Sequence, residues 1–337
     1  MKVKTKELLV ILDKLKPGLL SKEMVEQATH FTFEGDYVRT YNDNILIAHS
    51  YATDFRAAVK AAEFSALLKK IQDAEFEIIL GDGKLVMTGG KWEGEIAVEV
   101  QLKENQILGS VGQDGWKDLP PDFTEAIKTC EFSVSRNMIR PVLVCIYFSG
   151  EYAYSSDGLR ATRYRMKSVI PDKLLIHGPA ASDLAKHKPE QYALTSDWIL
   201  FAGEEDLIFG VRVLANADEF PEQVLNIYNM EGTKVNLPDD LDKIVDRCQS
   251  LLGSDFGGDR QVSVSVIDGE LVCKGTGALG WFEERAQVKD KSGEIPEFLV
   301  HPGFLCQIFS RIKSAVVGDH LLFKGDNFDH AISIKVK

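Results

Sequence analysis

The chain has 337 residues, which at roughly 100 to 200 residues per domain predicts two or three compact units. Hydrophobic residues at 45% and charged residues at 27% are those of an ordinary globular chain and exclude disordered, collagen-like and disulfide-scaffold classes. With 39 Lys plus Arg against 51 Asp plus Glu the formal charge is -12, which excludes a protein that coats nucleic acid with its whole surface; a local basic lining stays open.

No membrane span is expected, because the aliphatic stretch Leu8 to Leu12 is far short of ~20 residues. It is also too short for a secretory core. The five cysteines contain no CxxC pair and are expected as reduced thiols in a cytosolic protein.

The first element is a helix over 4–16, where Leu8, Ile11, Leu12 and Leu15 share one face at i, i+3, i+4, i+7 spacing. A hairpin from Tyr37 to Tyr51 turns at Asn42-Asp43-Asn44, a helix over 62–73 carries Phe64, Leu67, Leu68 and Ile71, and a hairpin from Phe76 to Val100 turns around Gly81-Asp82-Gly83. A glycine-rich stretch from Ile107 to Pro120 marks a boundary.

The pattern then recurs. Phe123, Ala126, Ile127 and Cys130 predict a helix over 121–131, followed by a hairpin from Tyr152 to Met166 turning at Ser156-Asp157-Gly158. A weaker helix over 180–190, with Ala181, Leu184 and Ala185, is opened by Pro179, whose missing N–H costs nothing in a first turn. Strands from Tyr192 to Leu214 turn around Gly203-Glu204, and a second boundary falls near Met230 to Pro238. Leu241, Ile244, Val245 and Cys248 predict a helix over 239–252, with strands from Val262 to Val288 after it. Leu305, Ile308, Phe309 and Ile312 predict the last helix, 303–314, and His320 to Val336 the last hairpin, around Gly325-Asp326. Each third reads helix, strands, helix, strands. The fold class is therefore α+β with antiparallel sheets, in three tandem repeats over 1–117, 118–231 and 232–337.

Few motifs suggest chemistry. Gly275-Thr276-Gly277-Ala278-Leu279-Gly280 matches G-x-G-x-x-G, but dinucleotide binding needs that string to open a helix. Residues Trp281 to Val288 alternate like a strand, so a hairpin turn is expected. Gly81-Asp82-Gly83-Lys84 lacks the spacing of a phosphate loop. The seven histidines show no HExxH and no zinc-like spacing, so neither metal nor cofactor is expected. Acidic clusters at Glu204-Glu205-Asp206, Asp239-Asp240 and Glu283-Glu284 read as solvated turns, and no catalytic residue is assigned. The six helices carry 13 basic and 13 acidic side chains, so the rest of the chain holds the whole -12.

Three α+β repeats, each with two amphipathic helices, resemble the bacterial DNA polymerase sliding clamp of the β subunit type. Phe132-Ser-Val-Ser-Arg-Asn-Met-Ile-Arg140-Pro-Val-Leu143 and Tyr154-Ser-Ser-Asp157-Gly158-Leu-Arg160-Ala161 resemble that family's second-domain signature, an apolar strand leading to a T-D-G-x-R-L turn. Glu219-Phe220-Pro221-Glu222 is similar to its F-P-D/E segment. The resemblance implies a ring of six domains with helices inside and sheets outside, hence a head-to-tail homodimer, since heterologous contacts must close. It implies a processivity factor with no chemistry of its own, which tethers a polymerase to duplex DNA and is opened by a clamp loader.

The resemblance also assigns residues. Lys14, Lys69, Lys70, Lys128, Arg136, Lys186, Lys188, Lys243, Arg247, Arg311 and Lys313 would line the DNA channel with weak, sequence-independent contacts. Polymerase and loader peptides would dock on Leu143, Ser156, Gly158, Leu159, Arg160, Ala161, Pro221, Val224 and Leu225, with Ile334 and Val336 standing in for the family's Met-Pro-containing tail. Ala161 replaces a larger aliphatic residue of the family. Leu251 and Leu252 would form an exposed helix end at the dimer contact. Two other readings stay open: a clamp-like scaffold that does not encircle DNA, and a nucleotide-binding enzyme using Gly275 to Gly280.

Overall fold

The computed structural model describes residues 1–203, 206–252 and 260–337. The first third runs β1 (Lys2–Lys4), α1 (Thr5–Leu15), β2 (His30–Glu34), β3 (Tyr37–Tyr41), β4 (Ile45–Ser50), β5 (Arg56–Lys60), α2 (Ala61–Leu68), β6 (Glu75–Gly81), β7 (Lys84–Thr88) and β8 (Glu93–Glu99). Then come β9 (Lys117–Asp118), α3 (Phe123–Cys130), β10 (Cys145–Ser156), β11 (Arg160–His177), α4 (Gly178–Leu184), β12 (Pro189–Leu194), β13 (Trp198–Gly203), β14 (Leu207–Arg212) and the short α5 (Glu222–Asn226). The last third holds β15 (Thr233–Asn236), α6 (Leu241–Gln249), β16 (Val262–Ile267), β17 (Glu270–Gly277), β18 (Gly280–Gln287), β19 (Asp290–Lys291), β20 (Phe298–Val300), α7 (Pro302–Phe309), β21 (Ser314–Val317), β22 (His320–Lys324) and β23 (Phe328–Val336). All strand pairings are antiparallel among the described residues. No helix among them is long and apolar enough to cross a membrane.

The chain forms two compact units, residues 1–124 with 176–214 and residues 125–175 with 215–337. Unit 1 carries a 12-stranded sheet in the order β1-β6-β7-β8-β5-β2-β3-β4-β14-β13-β12-β9. The strands of the first third meet those of the middle third at the β4–β14 seam, where Ile47 stands opposite Phe209 and Leu46 opposite Gly210. Unit 2 carries an 11-stranded sheet, whose path from β18 to β19 is joined by β11 pairing with β23 and by β10 pairing with β11. The middle third is thus shared out: its later strands extend the sheet begun by residues 30–99, and its earlier hairpin joins the sheet of the last third.

The helix faces are buried as their spacing predicts. Leu8, Ile11, Leu12 and Leu15, then Phe123, Ala126, Ile127 and Cys130, then Leu241, Ile244, Val245 and Cys248 are all buried, at about 1.5 to 3 kcal/mol for each large apolar side chain. Pro179 sits in the first turn of α4 as expected. Two details differ. Leu67, expected on the core face of α2, is 37% exposed, because the buried face is Ala61, Phe64, Ser65 and Leu68, at i, i+3, i+4, i+7 spacing that leaves position 67 off it. Residues 107–116, in the stretch expected to mark a boundary, pack Ile107, Leu108, Val111 and Trp116 over Leu46, Trp198 and Leu200. That strap shields one side of the β4–β14 seam.

Candidate functional site

The β10–β11 turn owes its shape to four residues. Gly158 adopts φ +90, a conformation that favours glycine. The Asp157 carboxylate accepts the backbone N–H groups of Leu159 (3.0 Å) and Arg160 (2.9 Å) and binds the Arg160 Nε at 2.9 Å. Ser156 Oγ donates to the Arg160 carbonyl at 2.8 Å and accepts the Gly158 N–H at 3.1 Å. The S-D-G-x-R string is therefore a self-supporting turn whose far strand enters the sheet with Ala161 opposite Ala331.

Ala161 is buried in an apolar cluster with Tyr147, Tyr154, Phe220, Tyr228 and Ala331, and the half-buried Val224 and Leu225 pack on the same cluster. Phe220 anchors its neighbours by stacking on Tyr147, with centroids 4.7 Å apart and planes 12° apart. Pro221 then caps α5, and its carbonyl accepts the Val224 N–H at 3.0 Å. The F-P pair therefore ties a one-turn helix to the cluster. Helix α5 itself was not legible in the sequence, being too short for a periodic signal.

Several expected pocket residues fall elsewhere. Arg160 leaves the surface of Ala161, because successive strand residues face opposite ways. Its guanidinium lies 4.3 Å from the centre of the Phe304 ring and 5.5 Å from that of Phe132. Ile334 packs with Ile332 into the other core of unit 2, whereas Ala331 belongs to the Ala161 cluster. Val336 is exposed near the end of β23. Leu143 is buried in a 3-10 turn, Pro141–Val144, where its carbonyl accepts the Ser135 N–H at 2.9 Å. Leu159 is exposed at the turn. Val224 and Leu225 lie half-buried on the cluster that holds the buried Ala161, with Pro221 beside them. Sequence reasoning missed the tyrosines around it: the Arg163 guanidinium lies 5.0 Å from the Tyr152 ring and 4.5 Å from the Tyr228 ring. Burial holds the Tyr154 hydroxyl neutral, its pKa pushed up to about 12.

The basic residues form faces within each unit. In unit 1, the C-terminal ends of α1 and α4 bring Lys14, Lys16, Lys186, His187 and Lys188 around a cleft of about 810 Å³, with Asp13 and Asp183. Cations at helix C-termini complement the macrodipole. Lys69 joins Lys16, Lys22 and Lys60 around a second cleft of about 620 Å³, and Lys70 is exposed beside it. In unit 2, Lys128, Arg136 and Lys243 are exposed, and Arg311 lies over the Phe132 ring at 4.9 Å. Three expected phosphate-binding cations have carboxylate partners, the first being Lys186, which donates to Asp183 at 2.6 Å. Arg247 binds Glu284 through two bonds of 2.7 and 2.6 Å, and Lys313 binds Asp239 at 3.0 Å. Lys289 and Lys313 hold the Asp239 carboxyl down to about 2. These pairs are exposed and individually weak, so phosphate can compete for the cations.

The leucine pair needs correction. Helix α6 ends at Gln249, and Leu252, 9% exposed, packs into the core with Leu241, Val245 and Cys248. It is not an exposed contact residue; Leu251 is half-buried beside it. The Gly275 string is an antiparallel hairpin in which Gly277 faces Gly280. No helix follows to receive a pyrophosphate, so the dinucleotide reading fails. Glu204 and Glu205 lie outside the described residues; Asp239 and Glu283 pair with lysine or arginine.

The fold is that of the DNA polymerase sliding clamps. The clamp from Bacillus subtilis superposes with a TM-score of 0.82 at 15% identity, over 100% of this chain and 98% of its own. The DNA polymerase III beta chain from Streptococcus pneumoniae gives 0.85 at 14% identity, over 100% and 99%. The Pseudomonas aeruginosa DNA polymerase III subunit beta, solved with griselimycin bound, gives 0.83 at 13% identity, over 100% and 99%. No protein family profile matches the sequence. No curated protein matches it either.

Proposed function

We propose that the chain is a DNA polymerase processivity clamp. The single observation that carries this reading is the clamp fold, matched over the entire chain at TM-scores of 0.82 to 0.85. Residues 1–117, 118–231 and 232–337 are taken as three clamp domains, so that two chains joined head to tail complete a ring of six. The ring encircles duplex DNA, tethers the replicative polymerase and is opened by a loader. The chain itself catalyses nothing. Lys14, Lys69, Lys70, Lys128, Arg136, Lys188, Lys243 and Arg311 face the duplex, joined by Lys186, Arg247 and Lys313 once phosphate displaces their carboxylates.

Retention on nicked circular DNA, followed by release on linearisation, tests the ring. Charge reversal of Lys69, Lys70 and Arg311 is expected to weaken retention and flatten its salt dependence, by a slope of about 0.9 per lost phosphate contact. A protein that binds circular and linear DNA alike, or ignores these reversals, refutes the reading.

Partner peptides are proposed to dock on Ala161, Pro221, Val224 and Leu225, because small peptides gain affinity from a few buried apolar anchors. Leu225→Asp is expected to weaken binding of a polymerase peptide at least tenfold, about 1.4 kcal/mol, while mass in solution and hold on circular DNA stay as in the parent. Equal titration of parent and variant would move the partner site elsewhere.

A further inference from the structure

We propose that Glu23, His30 and Glu99 form a binding site for one divalent transition-metal cation of the zinc type. All three belong to unit 1, and each offers one ligand atom within 4.8 Å of the other two. His30 opens β2 and is only 2% exposed, so its ring is fixed by packing. Its Nδ1 faces the Thr29 hydroxyl at 3.2 Å. Its Nε2 makes no hydrogen bond among the described residues and stands 3.7 Å from Glu99 Oε1. Each ring nitrogen of this buried side chain thus has a carboxylate oxygen 3.7 Å away, beyond hydrogen-bond reach.

The two carboxylates flank the ring. Glu23 Oε1 is 3.7 Å from Nδ1, and both side chains are partly exposed and able to close on an ion. Gln27, at φ 60, positions them: its carboxamide donates to Glu99 Oε2 at 2.9 Å and its backbone N–H donates to Glu23 Oε1 at 3.0 Å. Glu99 Oε1 is left facing Nε2. Such partners outside the ligand set orient the ligands themselves. One neutral imidazole with two carboxylates cancels the charge of a divalent ion, and the mixed nitrogen and oxygen set favours zinc over calcium or magnesium, which prefer oxygen and water. Bound there, the ion pins the 19–29 loop and the end of β8 to the start of β2. The sequence concealed the site because its ligands come from a loop, a strand start and a strand end, with no short spacing between them.

The test uses the full chain, stripped with chelator and titrated with zinc by calorimetry, with thermal unfolding alongside. One ion per chain is expected, with affinity in the micromolar range or tighter and a raised unfolding temperature. His30→Gln and the gentler Glu99→Gln are each expected to weaken binding at least about tenfold. Cobalt in place of zinc should show d–d absorption without a thiolate charge-transfer band. Absence of saturable zinc binding overturns the site, as does Glu99→Gln binding as tightly as the parent, or a thiolate band that puts the ion on the cysteines.

Discussion

Gly275→Ala is expected to destabilise unit 2 by about 3 kcal/mol, measured as a shift in the urea unfolding midpoint. A Cβ at Gly275 would stand 1.8 Å from the Cys248 carbonyl oxygen and 2.7 Å from its carbon. These are backbone atoms near the end of α6, which cannot rotate aside, so the helix must lift off β17. Cys248 marks the same close approach, its Sγ donating to the Cys273 carbonyl at 3.3 Å. Gly81→Ala provides the control, because its Cβ would meet nothing within 4 Å and should cost less than about 1 kcal/mol. Equal stability of parent and Gly275→Ala protein would mean that α6 does not sit on β17 as described.

Acid is expected to weaken the fold through His330. The ring is fully buried, with Nδ1 at 2.9 Å from Thr162 Oγ1 and its plane against Phe132 at 4.9 Å. Burial, then the charges of Arg160 and Arg311, lower its pKa from 6.5 to about 3. A depressed folded-state pKa means the unfolded chain takes up the proton first. Stability is therefore complete above the ordinary histidine value and falls between about pH 6 and pH 3, by up to roughly 1.4 kcal/mol per pH unit. His330→Gln should remove that part of the slope. Urea midpoints between pH 7 and pH 4 decide the matter: parallel curves for parent and variant would show that another group sets the acid limit.

Much of the fold is legible because amphipathic spacing and turn residues are local signals. Leu8 to Leu15, Phe123 to Cys130 and Leu241 to Cys248 gave three helices, and Asn42 to Asn44 or Ser156 to Gly158 gave hairpin turns that the structure contains. The rest is hidden for stated reasons. Strand β2 buries both faces, His30 to Phe33 all inside, so it shows no alternation. The site was read less well than the fold. Ala161, Val224 and Leu225 come together, but Arg160 and Ala161 were assigned to one surface although a strand turns neighbours apart. Leu252 continues the apolar face of α6 and was read as exposed; burial after a helix end depends on what packs there, which spacing alone does not encode.

The division of the middle third between two sheets bears on how the protein is made. Strands β12 to β14 find their partner β4 already synthesised, so unit 1 can close soon after residue 214 leaves the ribosome. The β10–β11 hairpin cannot do the same, because β11 pairs with β23, the last strand of the chain. At roughly 5 to 20 residues per second, that hairpin waits about 10 to 30 s with its apolar side uncovered. A ribosome stalled in the last third thus leaves the edge of β11 exposed and open to aggregation.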